Sequence, residues 1–189
     1  MESALIVSCK EKSTAFFAQM LEAASVAQVL TLQSCGEARR ILLERDFDLI
    51  IINSPLSDES GEGLARQTAA KGMSQVLLVV AVEHFDAVSA ICENDGVLTI
   101  AKPINKAVFW AALKLARAAL SRLVRMQAEN SKLKQKIEDI RIIDRAKCLL
   151  ISYLNMSEKD AHRLIEKQAM DIRLSKRAVA EEIIKTYEN

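Results

Sequence analysis

The sequence predicts a five-stranded parallel α/β sheet, then a long helix with a coiled-coil seam, then an all-α C-terminal domain of three helices. Three observations predict it. Five short apolar, β-branched runs alternate with helical patterns over about the first 115 residues; the segment Lys106–Leu154 contains neither Gly nor Pro; and the remaining chain is helical and compact, with a Ser at the head of each segment.

The strand candidates are Leu5-Ile6-Val7, Val29-Leu30-Thr31-Leu32, Leu49-Ile50-Ile51-Ile52, Val76-Leu77-Leu78-Val79-Val80 and Val97-Leu98-Thr99-Ile100. Continuous apolar runs of this kind suit strands buried on both faces. Helical stretches fall around residues 13–24, 36–45, 61–71 and 85–94. Five β/α repeats give a parallel sheet with helices on both faces, and in such sheets the site lies at the carboxyl ends of the strands.

The long helix starts after Pro103, with Asn105 placed to cap its first free N–H groups. At about 1.5 Å per residue it would run on the order of 70 Å. Val108, Phe109, Ala112, Leu113 and Ala116 form an apolar stripe that packs on the preceding domain. Farther on, Ala119, Met126, Leu133 and Ile140 recur every seven residues, with Leu123, Asn130 and Ile137 between them, a heptad seam with the first set at d and the second at a. A single Asn at an a position favours two parallel helices in register, so these seven residues are the expected contacts of a homodimer through a parallel coiled coil. Glu129 can reach Lys134 of a partner, whereas Lys136 and Arg141 repel; a lone surface helix is the alternative. Past Ile140 a second apolar face appears, with Ile142, Ile143, Ala146, Leu149, Leu150 and Tyr153 on one side, Tyr153 as a core residue.

The chain has 189 residues, 50% of them hydrophobic, enough for one core of ordinary size and a small second one. No apolar run is long enough to cross a bilayer and Met1–Cys9 lacks the features of a signal peptide, so a cytoplasmic location is expected. Cys9, Cys35, Cys92 and Cys148 stand far apart, without ligand spacing, and read as reduced small hydrophobes. No catalytic or metal-binding constellation is found and no cofactor is expected. The net charge of +1 conceals a gradient: residues 1–112 hold 9 basic and 14 acidic groups, residues 113–137 hold 7 and 1, and residues 138–189 hold 10 and 10. A paired basic rod would attract a polyanion or an acidic protein surface.

The run from Asp48 through Asn53, Pro55 and Gly61, with Ile100-Ala-Lys102-Pro103 and the opening Leu5-Ile-Val-Ser8-Cys9, resembles the receiver domain of bacterial two-component response regulators, a flavodoxin-like fold. The resemblance covers roughly residues 3–120. It implies that Asn53 holds the position of the phosphoacceptor aspartate, that Ser8 and Cys9 replace the acidic pair that binds magnesium, that Val80 replaces the sensing hydroxyl, that Thr99 replaces the switch aromatic, and that Lys102 retains the sensing lysine. Such a receiver is degenerate: an amide is no nucleophile, and without strand-end carboxylates a hard divalent ion has too few anionic oxygens. Lys102 is then expected to be structural, bonded to Asn53 or a backbone carbonyl. Control would come from a regulatory protein or ligand on the receiver, or from expression level.

Beyond Leu154, Ser157 caps a helix whose Ala161, Leu164, Ile165, Gln168, Ala169 and Ile172 share one face, and Ser175 caps a last helix with Ala178, Val179, Ile183 and Ile184 inward. The segments Ile143–Leu150, Met156–Ala161, Leu164–Met170 and Leu174–Ala180 resemble the ANTAR domain of bacterial transcription antiterminators. That resemblance implies binding to a tandem pair of RNA stem-loops in nascent transcripts. From the residues themselves, Lys159, Arg163 and Lys167 follow at helical spacing opposite the core with Met170 beside them, and Arg173, Lys176 and Arg177 cluster at the next turn. The RNA-binding candidates are Lys147, Arg163, Lys167, Arg173, Lys176 and Arg177, with an ordinary solvated face as the alternative for each; Lys147 also lies near the extended seam.

The expected organisation is a pseudo-receiver over residues 1–120, a parallel coiled-coil linker over 113–140 and an ANTAR-like three-helix domain over 138–189. The expected function is antitermination by RNA binding, in a protein that is not an enzyme. The alternatives are a DNA-binding transcriptional regulator, since three short helices could hold a helix-turn-helix, and an interaction adaptor docking an acidic partner.

Overall fold

The computed structural model describes residues 1–188 and divides into two compact units, Met1–Met126 and the chain from Gln127 on. The first unit is a doubly wound sheet. Strands β1 (Ser3–Val7), β2 (Gln28–Leu32), β3 (Leu49–Asn53), β4 (Gln75–Val80) and β5 (Leu98–Ala101) pair in parallel in the order β2-β1-β3-β4-β5. Helices α1 (Glu11–Ala23), α2 (Cys35–Glu44), α3 (Glu62–Ala70) and α4 (Phe85–Cys92) connect them, and α5 (Lys106–Leu154) follows β5. This is the flavodoxin-like five-stranded fold.

Alternation along the strands assigns each side chain to one of two apolar layers. Ile50, Ile52, Leu78 and Val80 face Ala38, Leu42, Leu64 and Val88 of α2, α3 and α4. Leu49, Ile51, Leu77 and Val79 face Phe17, Met20 and Leu21 of α1 and Phe109, Leu113 and Ala116 of α5. Every residue of β3 and β4 is buried, which is why those two segments read as unbroken apolar runs. β2 departs from the expectation of a fully buried strand: it lies at the sheet edge, where Val29 is 37% exposed. β5 is also displaced one residue from its apolar run, ending at Ala101, which pairs with Val80. Gly61 heads α3 at φ +87°, and a Cβ there would lie 2.7 Å from Ile52 Cγ2, so both backbone and space require glycine.

α5 opens as its sequence signals, with the Val108 N–H donating to Asn105 Oδ1 at 2.9 Å, and runs unbroken for 49 residues. Its first turns bury Phe109, Ala112, Leu113, Ala116 and Leu120 in the first unit.

The second unit packs the end of α5 with α6 (Glu158–Ile172) and α7 (Lys176–Tyr187). Its core is Ala146, Leu150, Ala161, Ile165, Ala169, Val179, Ala180 and Ile183. Four of these eight are alanines, and small side chains at a helix contact let the axes approach closely. Ser157 Oγ accepts from the Asp160 N–H and Ser175 Oγ from the Ala178 N–H, so each hydroxyl satisfies an otherwise free donor at the head of its helix.

Three positions expected in this core lie outside it. Tyr153 is 61% exposed: the helix ends one residue later, and its ring meets the end of α7, at Tyr187, with ring centroids 5.3 Å apart. Ile172 is 57% exposed at the last turn of α6, where Arg173 adopts φ +54° and turns the chain toward Leu174, itself 56% exposed. Gln168, placed on the same inner face, is exposed as well.

Candidate functional site

At the carboxyl ends of the strands the positions of receiver chemistry come together without acidic groups. Asn53 ends β3 and is 1% exposed; its Nδ2 donates to Ser8 Oγ at 2.9 Å across the β1–β3 pair. Its Oδ1 is buried without a partner. Cys9 is exposed, its thiol donating to the Pro55 carbonyl at 3.5 Å. Val80 is buried at the end of β4 and its carbonyl accepts from the Lys102 N–H at 2.8 Å. Lys102 Nζ donates to the Ser54 carbonyl rather than to Asn53. Burial, and then the neighbouring charge of Lys10, lowers the Lys102 pKa, and no carboxylate opposes that shift.

Magnesium does not fit this donor set. Ser8, Cys9 and Asn53 supply neutral oxygen, thiol and amide, and the charged neighbours Lys10 and Lys102 repel a cation. A second group, Cys35, Asp58 and Glu59, brings its donor atoms within 4.8 Å of one another, but those atoms are already engaged. Asp58 accepts from the Cys35 and Gly36 N–H groups at 3.1 and 2.9 Å, Glu59 pairs with Arg39 through both oxygens, and the buried Cys35 thiol is pushed up to about 12 by desolvation, then by Glu59 and Asp58.

Beside Asn53 and Lys102 a cleft of about 350 Å³ opens between α1 and the β5–α5 connection, with Lys12, Phe16 and Ile104 in its wall. The sequence carries no local signal for it, because its lining comes from four separate segments. The spacing of Lys12 and Phe16 on one face of α1 is the single trace.

Along α5 the seam residues divide. Ala119 and Leu123 are half-buried, lining a groove of the first unit with Leu98 and Gly96. Met126, Leu133, Ile137 and Ile140 are 57, 59, 52 and 58% exposed, and Asn130 is exposed among them. This apolar row, repeating in steps of four and three, is left uncovered by the described residues of the chain itself.

In the second unit the basic residues fall into two groups. Lys147 Nζ lies 2.8 Å from both Asp144 and Glu158, and those bonds hold its pKa above the ordinary lysine range. Lys176 pairs with Glu166, and Arg177 bridges Asp139 at 2.9 Å and Glu181 at 2.8 Å. By contrast Lys159, Arg163, Lys167 and Arg173 are exposed and make no ion pair among the described residues. The first three stand at four-residue spacing on α6, in line with Met170, which is 78% exposed. The arrangement is a row of free cations ending on bare apolar side chains, Met170 and Leu174.

Residues 131–184 match the ANTAR domain family. Over 139 residues the chain is 26% identical to the transcriptional regulatory protein PdtaR of Mycobacterium tuberculosis, a span of 74% of this chain and 68% of that protein. Among solved structures, a CheY-like response regulator receiver domain from Methylobacillus flagellatus is similar with a TM-score of 0.53 at 23% identity, over 61% of this chain and 98% of that one. A two-component response regulator from Clostridium difficile gives 0.55 at 19% identity, over 62% and 97%. The chain therefore joins a receiver fold to an ANTAR domain. No helix among the described residues is long and apolar enough to cross a membrane.

Proposed function

We propose that this chain, a receiver-type domain followed by an ANTAR domain, is a transcription antitermination regulator that binds paired RNA stem-loops as a homodimer. The observation that carries the reading is the α6 surface. Arg163 and Lys167 stand free of carboxylates in line with the exposed Met170, inside the ANTAR-matched segment. Free cations suit phosphate contact, and an apolar side chain at the end of the row suits packing against a base or sugar. Lys147, Lys176 and Arg177 join the interface by exchanging a carboxylate for a phosphate; the pairs of Lys176 and Arg177 lie toward solvent and are weakly held, whereas Lys147 is largely covered. Arg173 presents its side chain at the turn between α6 and α7.

The dimer forms along the seam from Ala119 to Ile140, with Leu123, Met126, Asn130, Leu133 and Ile137 between, open to solvent from Met126 on. Residues 1–120 act as the pseudo-receiver, 113–140 as the linker and 138–189 as the RNA-binding domain. Competition of stem-loop RNA against duplex DNA across a salt series tests the nucleic-acid assignment, and equal or better binding of duplex DNA overturns it.

Replacing Arg163 or Lys167 by Ala is expected to weaken all RNAs uniformly and to lower the slope of log affinity against log salt by about one for each phosphate that is no longer neutralised. A weakening confined to one loop sequence would assign these side chains to base reading instead.

Control does not pass through aspartyl phosphate. Incubation with a small phosphodonor and Mg²⁺ is expected to leave the intact mass unchanged. Asn53→Asp alone is expected to leave it unchanged as well, because Ser8 and Cys9 still provide no metal-binding carboxylate. A gain of one phosphate by the unaltered protein would refute this.

A further inference from the structure

We propose that the cleft beside Asn53 binds a small organic monocarboxylate with an apolar body. The inference deepens the proposed control of the receiver and rests on that domain taking no phosphoryl group.

Four features of the cleft converge on this class of ligand. First, its volume of about 350 Å³ lies within the usual range for small-molecule sites and its lining holds no carboxylate. Lys12 and Lys102 line it, and Lys10 lies close enough to lower the Lys102 pKa. The Lys102 ammonium has three donors and one protein acceptor, the Ser54 carbonyl. An anion beside it would use the remaining donors and relieve both the desolvation and the repulsion from Lys10.

Second, Lys12 and Ser13 belong to the first turn of α1, a helix of 13 residues whose head has no side-chain cap. Glu11 shares that turn and the Ser13 N–H is taken by the Lys10 carbonyl at 3.0 Å, so it is the remaining N–H groups and the positive end of the helix dipole that favour a negative charge there. Third, Asn53 has one end of its amide on Ser8 and the other buried without a partner. Turning the amide would let Oδ1 accept from the Ser8 hydroxyl and leave Nδ2 as a donor for a carboxylate oxygen. An amide in this state is the reverse of the carboxylate that a working receiver carries: it receives an anion instead of being one.

Fourth, the remaining wall is Phe16, Phe17, Val79, Pro103 and Ile104, an apolar surface. Inorganic phosphate would satisfy the cations and leave this surface wet, whereas a carboxylate with an aromatic or branched aliphatic body covers it and removes apolar area from water. Ile104 precedes Asn105, the cap of α5, so an occupant touches the segment that leads into the long helix.

The test is methyl-detected NMR of the full chain, labelled at Ile and Val, titrated with benzoate and with isovalerate. Benzamide supplies the shape without the charge, and inorganic phosphate supplies charge without the apolar body. Saturable shifts of the Ile104 and Val79 methyls are expected with at least one of the two carboxylates, and at least tenfold weaker binding of benzamide and phosphate. Lys102→Met and Lys12→Met are each expected to weaken the carboxylate at least fivefold, with the Ile165 methyl in the other unit unchanged as a control for folding. Lys12 is exposed, so its variant carries the test if loss of the Lys102–Ser54 bond disturbs the fold. No saturable shift with either carboxylate, equal binding of benzamide, tighter binding of phosphate, or indifference to both substitutions overturns the proposal. A mass gain from the phosphodonor would overturn the unphosphorylated receiver instead, and the two failures are read in separate experiments.

Discussion

The double variant Leu133→Ala, Ile137→Ala is expected to sediment as a monomer. In the isolated chain these side chains are 59 and 52% exposed and belong to neither apolar core, so truncating them removes nothing that folds either unit. In a parallel pair they occupy adjacent d and a layers at the middle of a seam about three heptads long. Each truncation at a well-packed layer costs roughly 2–5 kcal/mol, and the two together remove much of what so short a coil can contribute. Unfolding of the two units should be unaltered when corrected for the concentration dependence that a dimer imposes. Asn130→Leu separates register from strength: it should strengthen association while permitting other orientations or stoichiometries, because the buried amide that favours a parallel pair is gone. If the double variant remains dimeric, the contact lies on the receiver and the open row on α5 has another partner.

Local rules were enough for most of the architecture. β3 and β4 were legible because both of their faces are covered, which confines their polar residues to the strand ends, Asn53 at the close of β3 and Gln75 at the start of β4. The head of α5 and the heads of α6 and α7 were legible because Asn105, Ser157 and Ser175 cap within three residues of themselves. What depended on distant partners was not. The exposure of β2 follows from the strand order, which no single strand encodes. Tyr153 and Ile172 carry the periodicity of core residues, but each sits in the last turn of its helix, where the neighbouring elements end. The basic residues of the second unit looked equivalent along the chain. Asp139 and Glu166, brought up by folding from 38 and 10 residues away, engage Arg177 and Lys176, and α6 retains the free cations. At the receiver site the residue types led to the expectation of neither metal nor phosphoryl chemistry, whereas the cleft beside Lys102 required α1 and the β5–α5 connection to be placed together.

A tandem pair of stem-loops is expected to bind far more tightly than either loop alone, by a factor of about 10²–10⁴ where the spacing between loops matches the spacing between the two ANTAR domains. A parallel seam would place the two C-terminal domains at the same end of the rod, so the second contact would become intramolecular and its effective concentration, not new contacts, would supply the gain. Each domain would then need only modest affinity, which the proposed contacts of Arg163, Lys167 and their neighbours would supply. The basic stretch from residue 113 to 137, with 7 basic groups against 1 acidic, would add a sequence-independent attraction in each chain that steers RNA toward the protein and weakens with salt. The two contributions separate in one titration of labelled one-loop and two-loop RNAs across a salt series. Raising salt should lower both affinities, whereas the Leu133→Ala, Ile137→Ala variant should abolish the difference between them and leave the single-loop affinity in place. Lengthening the spacer between the loops should reduce the advantage gradually, as expected for a flexible tether, and shortening it below the span of the two domains should remove it abruptly. Equal affinities for one loop and two at every salt concentration would sink the paired mechanism, even with RNA binding itself intact.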